Sequence, residues 1–240
     1  MEIFTEKCTE RKQMSELIGI VGETGSGKSR SIKNLNPAET VVMNTVGKSL
    51  PFQGWKKNYT KMTDISGNFY ISDDAEKIIS VMHLVSDKRP EIKSIICDDF
   101  QYLMSNEFMN RASEKGYDKF TDIAKHAWMV LDHGRRLRDD LNVFILTHDQ
   151  IVMEDFAPKR KMKTIGKLLD DKITLEGMFS VVLFTDVTKE KDKDVLTYKF
   201  ITQSDGSTTG KSPEGMFKSL KIDNDLKLVS DSIKSYYEGE

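Results

Sequence analysis

The residues that most clearly could do chemistry form a glycine-rich segment directly after the apolar run 17–21. They have the pattern of a phosphate-binding loop and are Gly22, Glu23, Thr24, Gly25, Ser26, Gly27, Lys28 and Ser29. Glycines allow the backbone N–H groups of such a loop to point at a β-phosphate. Lys28 is expected to reach the β- and γ-phosphates, and the Ser29 hydroxyl to coordinate Mg²⁺. The pattern predicts binding of a nucleoside triphosphate, and a glycine turn that binds nothing is the alternative.

Two adjacent carboxylates, Asp98 and Asp99, end the apolar segment 94–99. Asp98 has the context of the carboxylate that holds Mg²⁺ through water, opposite Ser29. Its alternative role is the N-cap of a helix that begins near Gln101. Asp99 is the candidate for orienting or deprotonating an attacking water. Either aspartate could be the cap, and the sequence does not separate these roles.

Thr147 and His148 end the apolar segment 142–148. In this class of sheet, that strand is expected between the loop strand and the Asp98 strand. A polar side chain there can contact the γ-phosphate or its water and respond to hydrolysis. Simple termination of the strand is the alternative.

A dense basic segment follows at 158–167. The chain as a whole has 36 basic and 38 acidic residues and a net charge of −2, so a polyanion would have to bind a local patch. The segment is expected to be a loop that contacts single-stranded DNA, with a solvated charge run as the alternative. Its cations are Lys159, Arg160, Lys161, Lys163 and Lys167.

Lys211 lies in the segment 208–213, where glycine and proline indicate an exposed turn. At the tip of such a turn, its ammonium could reach the phosphate of a neighbouring subunit. An ordinary loop lysine is the alternative.

The elements that must position these residues alternate between apolar strands and helical patterns, which predicts an α/β fold with a mostly parallel sheet and helices on both faces. Ligands of such sheets bind at the carboxyl ends of the strands. A strand within 195–202 is expected to form a C-terminal hairpin with the strand 181–185. The other predicted strands are 17–21, 40–44, 69–71, 94–99 and 142–148, and the predicted helices are a short one from Lys28, then 75–85, 101–114, 121–140 and 226–237.

The chain is expected to contain one ATPase core, at 16–217, between an N-terminal extension at 1–15 and a C-terminal amphipathic helix or tail at 218–240. Its two cysteines, Cys8 and Cys97, lack metal-binding spacing, which argues against a cysteine zinc site and favours a reducing compartment. No apolar run approaches the ~20 residues of a membrane span. We therefore expect a cytoplasmic protein without a membrane partner.

The order of the loop, Asp98, Thr147-His148, basic segment, hairpin and Lys211 turn resembles the RecA-like ATPases of bacteriophages, often described as phage nucleotide-binding or single-strand annealing proteins. The resemblance spans about residues 15–217. It implies a RecA-type core, ATP and Mg²⁺ bound between subunits of a ring or filament, and single-stranded DNA handling in phage recombination or replication. It also implies the host cytoplasm, a possible single-strand binding partner, DNA contact after His148, and Lys211 as a basic finger acting in trans.

The chain departs from RecA where the second strand ends in Asn44-Thr45 instead of a catalytic glutamate. Asp99 and Glu23 are the possible substitutes. The departure favours a second hypothesis, a nucleotide-switched binding protein with little hydrolysis. A third hypothesis is a small-molecule kinase, which should carry an arginine-rich lid, whereas the basic segment here is rich in lysine.

Overall fold

The computed structural model describes residues 14–63, 66–154, 156–165, 173–189 and 194–239. Its strands are β1 (Glu16–Val21), β2 (Thr40–Asn44), β3 (Phe69–Ile71), β4 (Ser94–Asp98), β5 (Asn142–Thr147), β6 (Asp149–Glu154), β7 (Ala157–Met162), β8 (Val181–Lys189), β9 (Leu196–Ile201) and β10 (Lys221–Asp223). Its α-helices are α1 (Trp55–Asn58), α2 (Ala75–Lys88), α3 (Gln101–Asn110), α4 (Asp118–Gly134) and α5 (Leu226–Glu238). Short 3-10 turns lie at Ser29–Asn34, Pro37–Glu39 and Leu175–Met178.

The main sheet has the order β10-β9-β8-β1-β5-β4-β2-β3. The pairs from β8 across to β3 are parallel, while β9 and β10 add antiparallel strands at one edge. This is the α/β, mostly parallel architecture predicted for a RecA-like P-loop NTPase, with the predicted hairpin formed by β8 and β9. The strand of Thr147 lies between β1 and β4, as expected.

Alternating side chains of the strands enter two apolar cores, one on each face of the sheet. In β1, Leu17 and Val21 pack in the core that receives α2, α3 and α4. Ile18 and Ile20 point to the opposite core, which receives Ile32 of the first 3-10 turn and the apolar side of α5. Because helices cover both faces, the central strands are buried and mostly apolar.

Several boundaries differ from the sequence expectations. The segment after the loop forms a six-residue 3-10 turn, Ser29–Asn34, because the chain must turn at Asn36-Pro37 before a full helix can develop. The basic segment, predicted as a loop, is the strand β7, which pairs with β6 in a separate hairpin. The apolar run Ile151-Val152-Met153, with two β-branched residues, is the strand signal that this expectation overlooked.

Within the segment 218–240, predicted as an amphipathic helix or tail outside the core, the predicted helix is α5, which packs in the second core, and β10 joins the main sheet. Of the predicted N-terminal extension, residues 1–13 lie outside the described residues. Within the described part of the chain, no helix is long and apolar enough to cross a membrane.

Candidate nucleotide site

Four neighbouring strands end at the same edge of the sheet and place the candidate residues side by side. The register pairs Val21 with Thr147, and Asn44 with Asp98. The Gly22 amide continues this ladder by donating to the Thr147 carbonyl at 3.1 Å. The loop and both predicted polar strand ends therefore lie together, as the parallel sheet requires.

Ser29 and Asp98 meet across this edge, although 69 positions separate them in the chain. The Ser29 hydroxyl donates to Asp98 Oδ1 at 2.8 Å, and the Asn44 amide donates to Asp98 Oδ2 at 3.2 Å. Asp98 does not cap α3, whose N-cap position is Phe100 without a side-chain cap. The cap alternative for Asp98 is therefore wrong, and a hydroxyl and a carboxylate stand together as Mg²⁺ ligand types.

Asp98 is fully buried, and its electrostatics suit a cation. Burial, together with the neighbouring Asp99 carboxylate, raises the pKa of Asp98 to about 6, against the opposing effects of Ser29, Lys48 and Lys28. A buried carboxylate is costly to ionise without a compensating charge. A divalent cation at the Ser29–Asp98 pair would supply that charge.

Lys28 spans the interior of the loop and is only 6% exposed. Its ammonium donates to the carbonyls of Gly22 at 2.7 Å and Glu23 at 2.9 Å. Burial lowers the pKa of Lys28, while Asp99 and Asp98 oppose that shift. The ammonium is thus held at the mouth of the loop, where it could engage phosphate oxygens.

The loop needs its glycines for two different reasons. Gly25 and Gly27 have φ values of +78° and +93°, which residues with a side chain rarely adopt. Gly22 is limited by space, because a Cβ there would lie 1.7 Å from Thr185 Oγ1. A Cβ on Gly27 would also meet the Tyr198 ring at 2.9 Å. Backbone curvature and close packing together produce the cradle that a phosphate requires.

Asp99 adopts a left-handed backbone conformation with φ +62°, which is uncommon for a residue other than glycine. Its side chain is buried and forms an ion pair with Lys48. Its Oδ1 lies 4.0 Å from His148 Nε2, and its carbonyl accepts from Thr45 Oγ1 at 2.6 Å. Such conformations persist where surrounding contacts enforce them, often at functional sites. The catalytic role of Asp99 stays a prediction.

Thr147 and His148 occupy the predicted position at the end of β5. The Thr147 hydroxyl is buried and has no hydrogen-bond partner among the described residues. His148 packs edge-on against Tyr102, with ring centroids 5.9 Å apart. Burial lowers the pKa of His148, and the Lys28 charge adds to this shift. Its imidazole is therefore neutral at pH 7 and can accept a proton or a hydrogen bond.

The cations predicted to contact DNA are mostly paired within the β6–β7 hairpin. Glu154 binds both Lys159, at 3.1 Å, and Lys161. Arg160 is internal: it donates to Asp149 at 2.6 Å and to the Thr185 carbonyl at 3.0 Å. We therefore correct the picture of an open cationic loop, because three of its cations pair with neighbouring acids, two of them with the same glutamate.

The remaining predicted site residues are the DNA candidates Lys163 and Lys167 and the predicted finger Lys211. Lys163 is exposed just beyond β7, whereas Lys167 lies outside the described residues. Lys211 is not at the tip of an open turn, because its N–H and carbonyl both bond to Val182 of β8, at 2.9 and 2.7 Å. Burial lowers the pKa of Lys211, and Glu176 opposes the shift. Its action in trans stays a prediction.

Three residues at the site were not foreseen as contributors. Lys48 binds Asp99, Asn44 binds Asp98, and Thr185 packs against Gly22. Asn44 was considered only as the replacement for an absent glutamate. The signal that could have found it is its place at a strand end in register with Asp98. Lys48 carries no comparable signal in the sequence.

The residues present fit a magnesium-bound nucleotide. Within the described ranges, no group of three or more His, Cys, Asp or Glu side chains could hold a metal ion. Mg²⁺ in nucleotide sites rarely uses such a cage, since one or two protein oxygens suffice beside phosphate and water. Ser29 and Asp98 would hold it here, and Lys28 with the loop amides would hold the phosphates. The fold and this site together define a RecA-like P-loop NTPase architecture.

Comparison with known proteins gives distant structural likenesses. A KaiC-like protein from Pyrococcus horikoshii matches with a TM-score of 0.41 and 14% identity, over 78% of this chain and 77% of the other. The flagellar accessory protein FlaH from Methanocaldococcus jannaschii matches with the same four values: TM-score 0.41, 14%, 78% and 77%. No protein-family model matches the chain, and no curated protein matches it significantly. Likeness at this distance assigns no activity or partner.

Proposed function

We propose that this protein binds ATP with Mg²⁺ and hydrolyses it. The observation that carries the proposal is the Ser29–Asp98 hydrogen bond, 2.8 Å long, at the mouth of a loop that holds the Lys28 ammonium. A hydroxyl, a buried carboxylate and a loop lysine are the three parts that phosphoryl transfer requires at the phosphates. The contact of the loop with Asp98, 69 positions from Ser29, is not expected of a glycine turn without a ligand.

Each group has a distinct task in this reaction. Lys28 and the loop amides hold the β- and γ-phosphates and stabilise charge that develops on them. Asp99, beside His148, orients the attacking water and accepts its proton. The water oxygen bonds to the γ-phosphorus, the bond from that phosphorus to the bridging oxygen breaks, and ADP and phosphate leave. Mg²⁺, when bound, would neutralise part of the negative charge of the phosphates.

The finer proposal is that ATP turnover is coupled to single-stranded DNA in phage recombination or replication. Two contacts support such coupling. The β6–β7 hairpin begins directly after His148, and Arg160 of that hairpin binds the carbonyl of Thr185 at 3.0 Å. Thr185 in turn packs on Gly22 of the loop. A ligand on the hairpin would thereby act on both sides of the phosphate site.

Phosphate release, measured with and without single-stranded DNA, tests both the proposed hydrolysis of ATP and its proposed coupling to DNA. Stimulation by DNA supports the recombination ATPase. Binding of MgATP without turnover would favour the nucleotide switch, and phosphorylation of a nucleoside would favour the kinase. An absence of MgATP binding by the folded protein would remove the proposal altogether.

Assembly into a ring or filament, with Lys211 acting across the interface, is a further part of the proposal. A cation that stabilises transition-state charge should affect turnover far more than nucleotide affinity. Lys211→Ala subunits mixed with Lys28→Ala subunits should recover part of the lost turnover, because some interfaces pair an intact loop with an intact finger. Failure to recover in verified mixed oligomers would place Lys211 outside a neighbour's site.

A further inference from the structure

Lys48 brings a second cation to the edge of the sheet where Lys28 lies. Its ammonium pairs with the buried Asp99 carboxylate, while about half of its own side chain, 51%, stays exposed. Asp99 adjoins Asp98, which accepts from the hydroxyl of Ser29, the neighbour of Lys28, at 2.8 Å, so both lysines lie at the same strand-end edge. Two cations therefore face Asp98 and Asp99 where the phosphates are proposed to bind.

The turn that presents Lys48 is built by the buried side chain of Asn44. Asn44 Oδ1 accepts from the amides of Gly47 at 2.6 Å and Val46 at 3.2 Å, a side-chain turn typical of asparagine. Gly47 has a φ of +74°, which this tight turn requires. The Asn44 amide group also donates to Asp98 Oδ2 at 3.2 Å and to the Lys48 carbonyl at 3.4 Å. One side chain thus connects the proposed Mg²⁺ carboxylate to the backbone of Lys48.

The chemistry of the two lysines differs. Lys28 is enclosed by the loop and bound to its carbonyls, so its position is set before any ligand arrives. Lys48 has a long flexible side chain, much of it in solvent, and within the part of the chain that the structure describes only the Asp99 carboxylate holds its ammonium. A terminal phosphate carries more negative charge and more acceptor oxygens than a carboxylate. A lysine held this way can exchange one anion for the other without a change of fold.

On this basis, and resting on the proposed function, we propose that Lys48 is a second phosphate-binding lysine, which exchanges its contact with Asp99 for the terminal phosphate of a nucleoside triphosphate. The exchange releases the Asp99 carboxylate to accept a hydrogen bond from the attacking water. It also makes Lys48 specific for the triphosphate, because a diphosphate lacks the group that Lys48 binds. Asn44 is the positioning residue that keeps Lys48 near Asp98.

Equilibrium binding of fluorescent ATP and ADP analogues, in the presence of Mg²⁺, tests the assignment without relying on turnover. Lys48→Gln should weaken ATP binding roughly tenfold or more, as expected for loss of a charge-assisted contact, and leave ADP binding within about twofold. Lys48→Arg should keep most of the preference for ATP. Lys57→Gln, which removes an exposed lysine from α1, is the matched control and should change neither affinity.

The Asp99→Asn variant tests whether Lys48 binds the terminal phosphate or acts only by neutralising the charge of Asp99. With no competing carboxylate, Lys48 should still confer preference for ATP, and adding Lys48→Gln in this background should abolish it. Equal affinity ratios for wild type and Lys48→Gln would overturn the assignment, as would a Lys48 effect that vanishes in Asp99→Asn. A wild-type protein that binds neither nucleotide would instead defeat the proposed function itself. Thermal unfolding of each variant confirms that it is folded.

Discussion

The strand-end site and the β6–β7 hairpin both contain clustered charges, but the charges are arranged differently. At the strand ends, Lys28 is bound by loop carbonyls, and the buried Asp98 carboxylate accepts from Ser29, the next residue of the loop. In the hairpin, Lys159 and Lys161 share one acid, Glu154, which lies a few residues away in sequence. The first arrangement gathers groups from distant segments around a common point, whereas the second satisfies its charges between close neighbours.

This difference teaches where charge indicates function. Burying Asp98 without a full countercharge costs free energy, so its retention points to a ligand that compensates. Partly exposed ion pairs such as those of Glu154 contribute only about 0–1 kcal/mol and can be exchanged for another anion. The hairpin can therefore bind a polyanion only in competition with its own acid. Five predictions test this contrast, from the largest expected effect to the smallest.

Lys28→Ala is expected to weaken MgATP binding at least ~100-fold, because it removes a buried ammonium and its charge-assisted contacts to the phosphates. Isothermal titration calorimetry measures the change. Lys33→Ala, at an exposed position on the adjacent 3-10 turn, is the matched control and should bind as wild type. Wild-type affinity in folded Lys28→Ala would mean that the loop does not bind the nucleotide, and the functional difference between the two regions would then be unsupported.

Asp98→Asn is expected to weaken Mg²⁺-dependent ATP binding by about tenfold, because a carboxylate ligand is replaced by a neutral amide. Asp99→Asn should spare ATP binding and slow turnover, since the structure places Asp99 beside His148 instead of Ser29. Binding assays in Mg²⁺ and in EDTA, combined with phosphate release, separate the two effects. Equal losses of binding in the two variants would mean that the roles are shared or reversed.

The same carboxylate predicts a pH dependence of stability. The pKa of Asp98 is raised from 3.8 to about 6 in the folded protein, so the folded state holds this proton more tightly than the unfolded state. In metal-free protein, the Asp98 contribution to the free energy of unfolding should fall by up to ~3 kcal/mol as pH rises from about 4 to about 7. Urea unfolding in EDTA measures it, and Asp98→Asn should flatten the profile. An unchanged slope in that variant would assign the dependence to other groups.

Gly22→Ala and Gly25→Ala are predicted to differ, because space limits one position and backbone conformation the other. A Cβ on Gly22 would clash with Thr185 and Ser26, which should destabilise the protein by about 1–3 kcal/mol and impair ATP binding. No atom of the described residues lies within 4 Å of a Cβ at Gly25, so Gly25→Ala should cost only about 1 kcal/mol for its φ. Thermal unfolding compares them, and Gly25→Asn should be the mildest change. Equal losses in Gly22→Ala and Gly25→Ala would contradict the packing argument.

The smallest effects are expected in the hairpin. Replacing Lys159 and Lys161 with glutamine should weaken single-stranded DNA binding and lower its salt slope by about 1.4, at ~0.7 per contact. Glu154→Gln should strengthen binding, because it removes the competing acid. Fluorescence anisotropy at several salt concentrations measures both, with a Lys227→Gln/Lys234→Gln variant of α5 as control. If neither hairpin change alters the salt dependence of DNA binding, the segment is an ordinary solvated charge run.

Local pattern was sufficient to predict much of the fold. The strand at 40–44 and the helix α2, which Asp74 caps, follow from apolar runs and capping preferences that act over a few residues. The hairpin strand β7 was missed because its lysine-rich sequence suggested a loop, while its pairing partner β6 determined its conformation. Its neutralisation by Glu154 depends equally on that pairing.

The sequence by itself determined the phosphate loop, its glycines and Asp98 as the carboxylate opposite Ser29. The loop is a continuous motif and Asp98 ends an apolar strand, so both can be recognised from neighbouring residues alone. Only the tertiary structure decided that Asn44 supports Asp98, that Lys48 pairs with Asp99, and that Thr185 closes the space over Gly22. These contacts join segments that are tens to more than a hundred residues apart. Their geometry depends on sheet order and register, which arise from packing of the whole chain and leave no local signature.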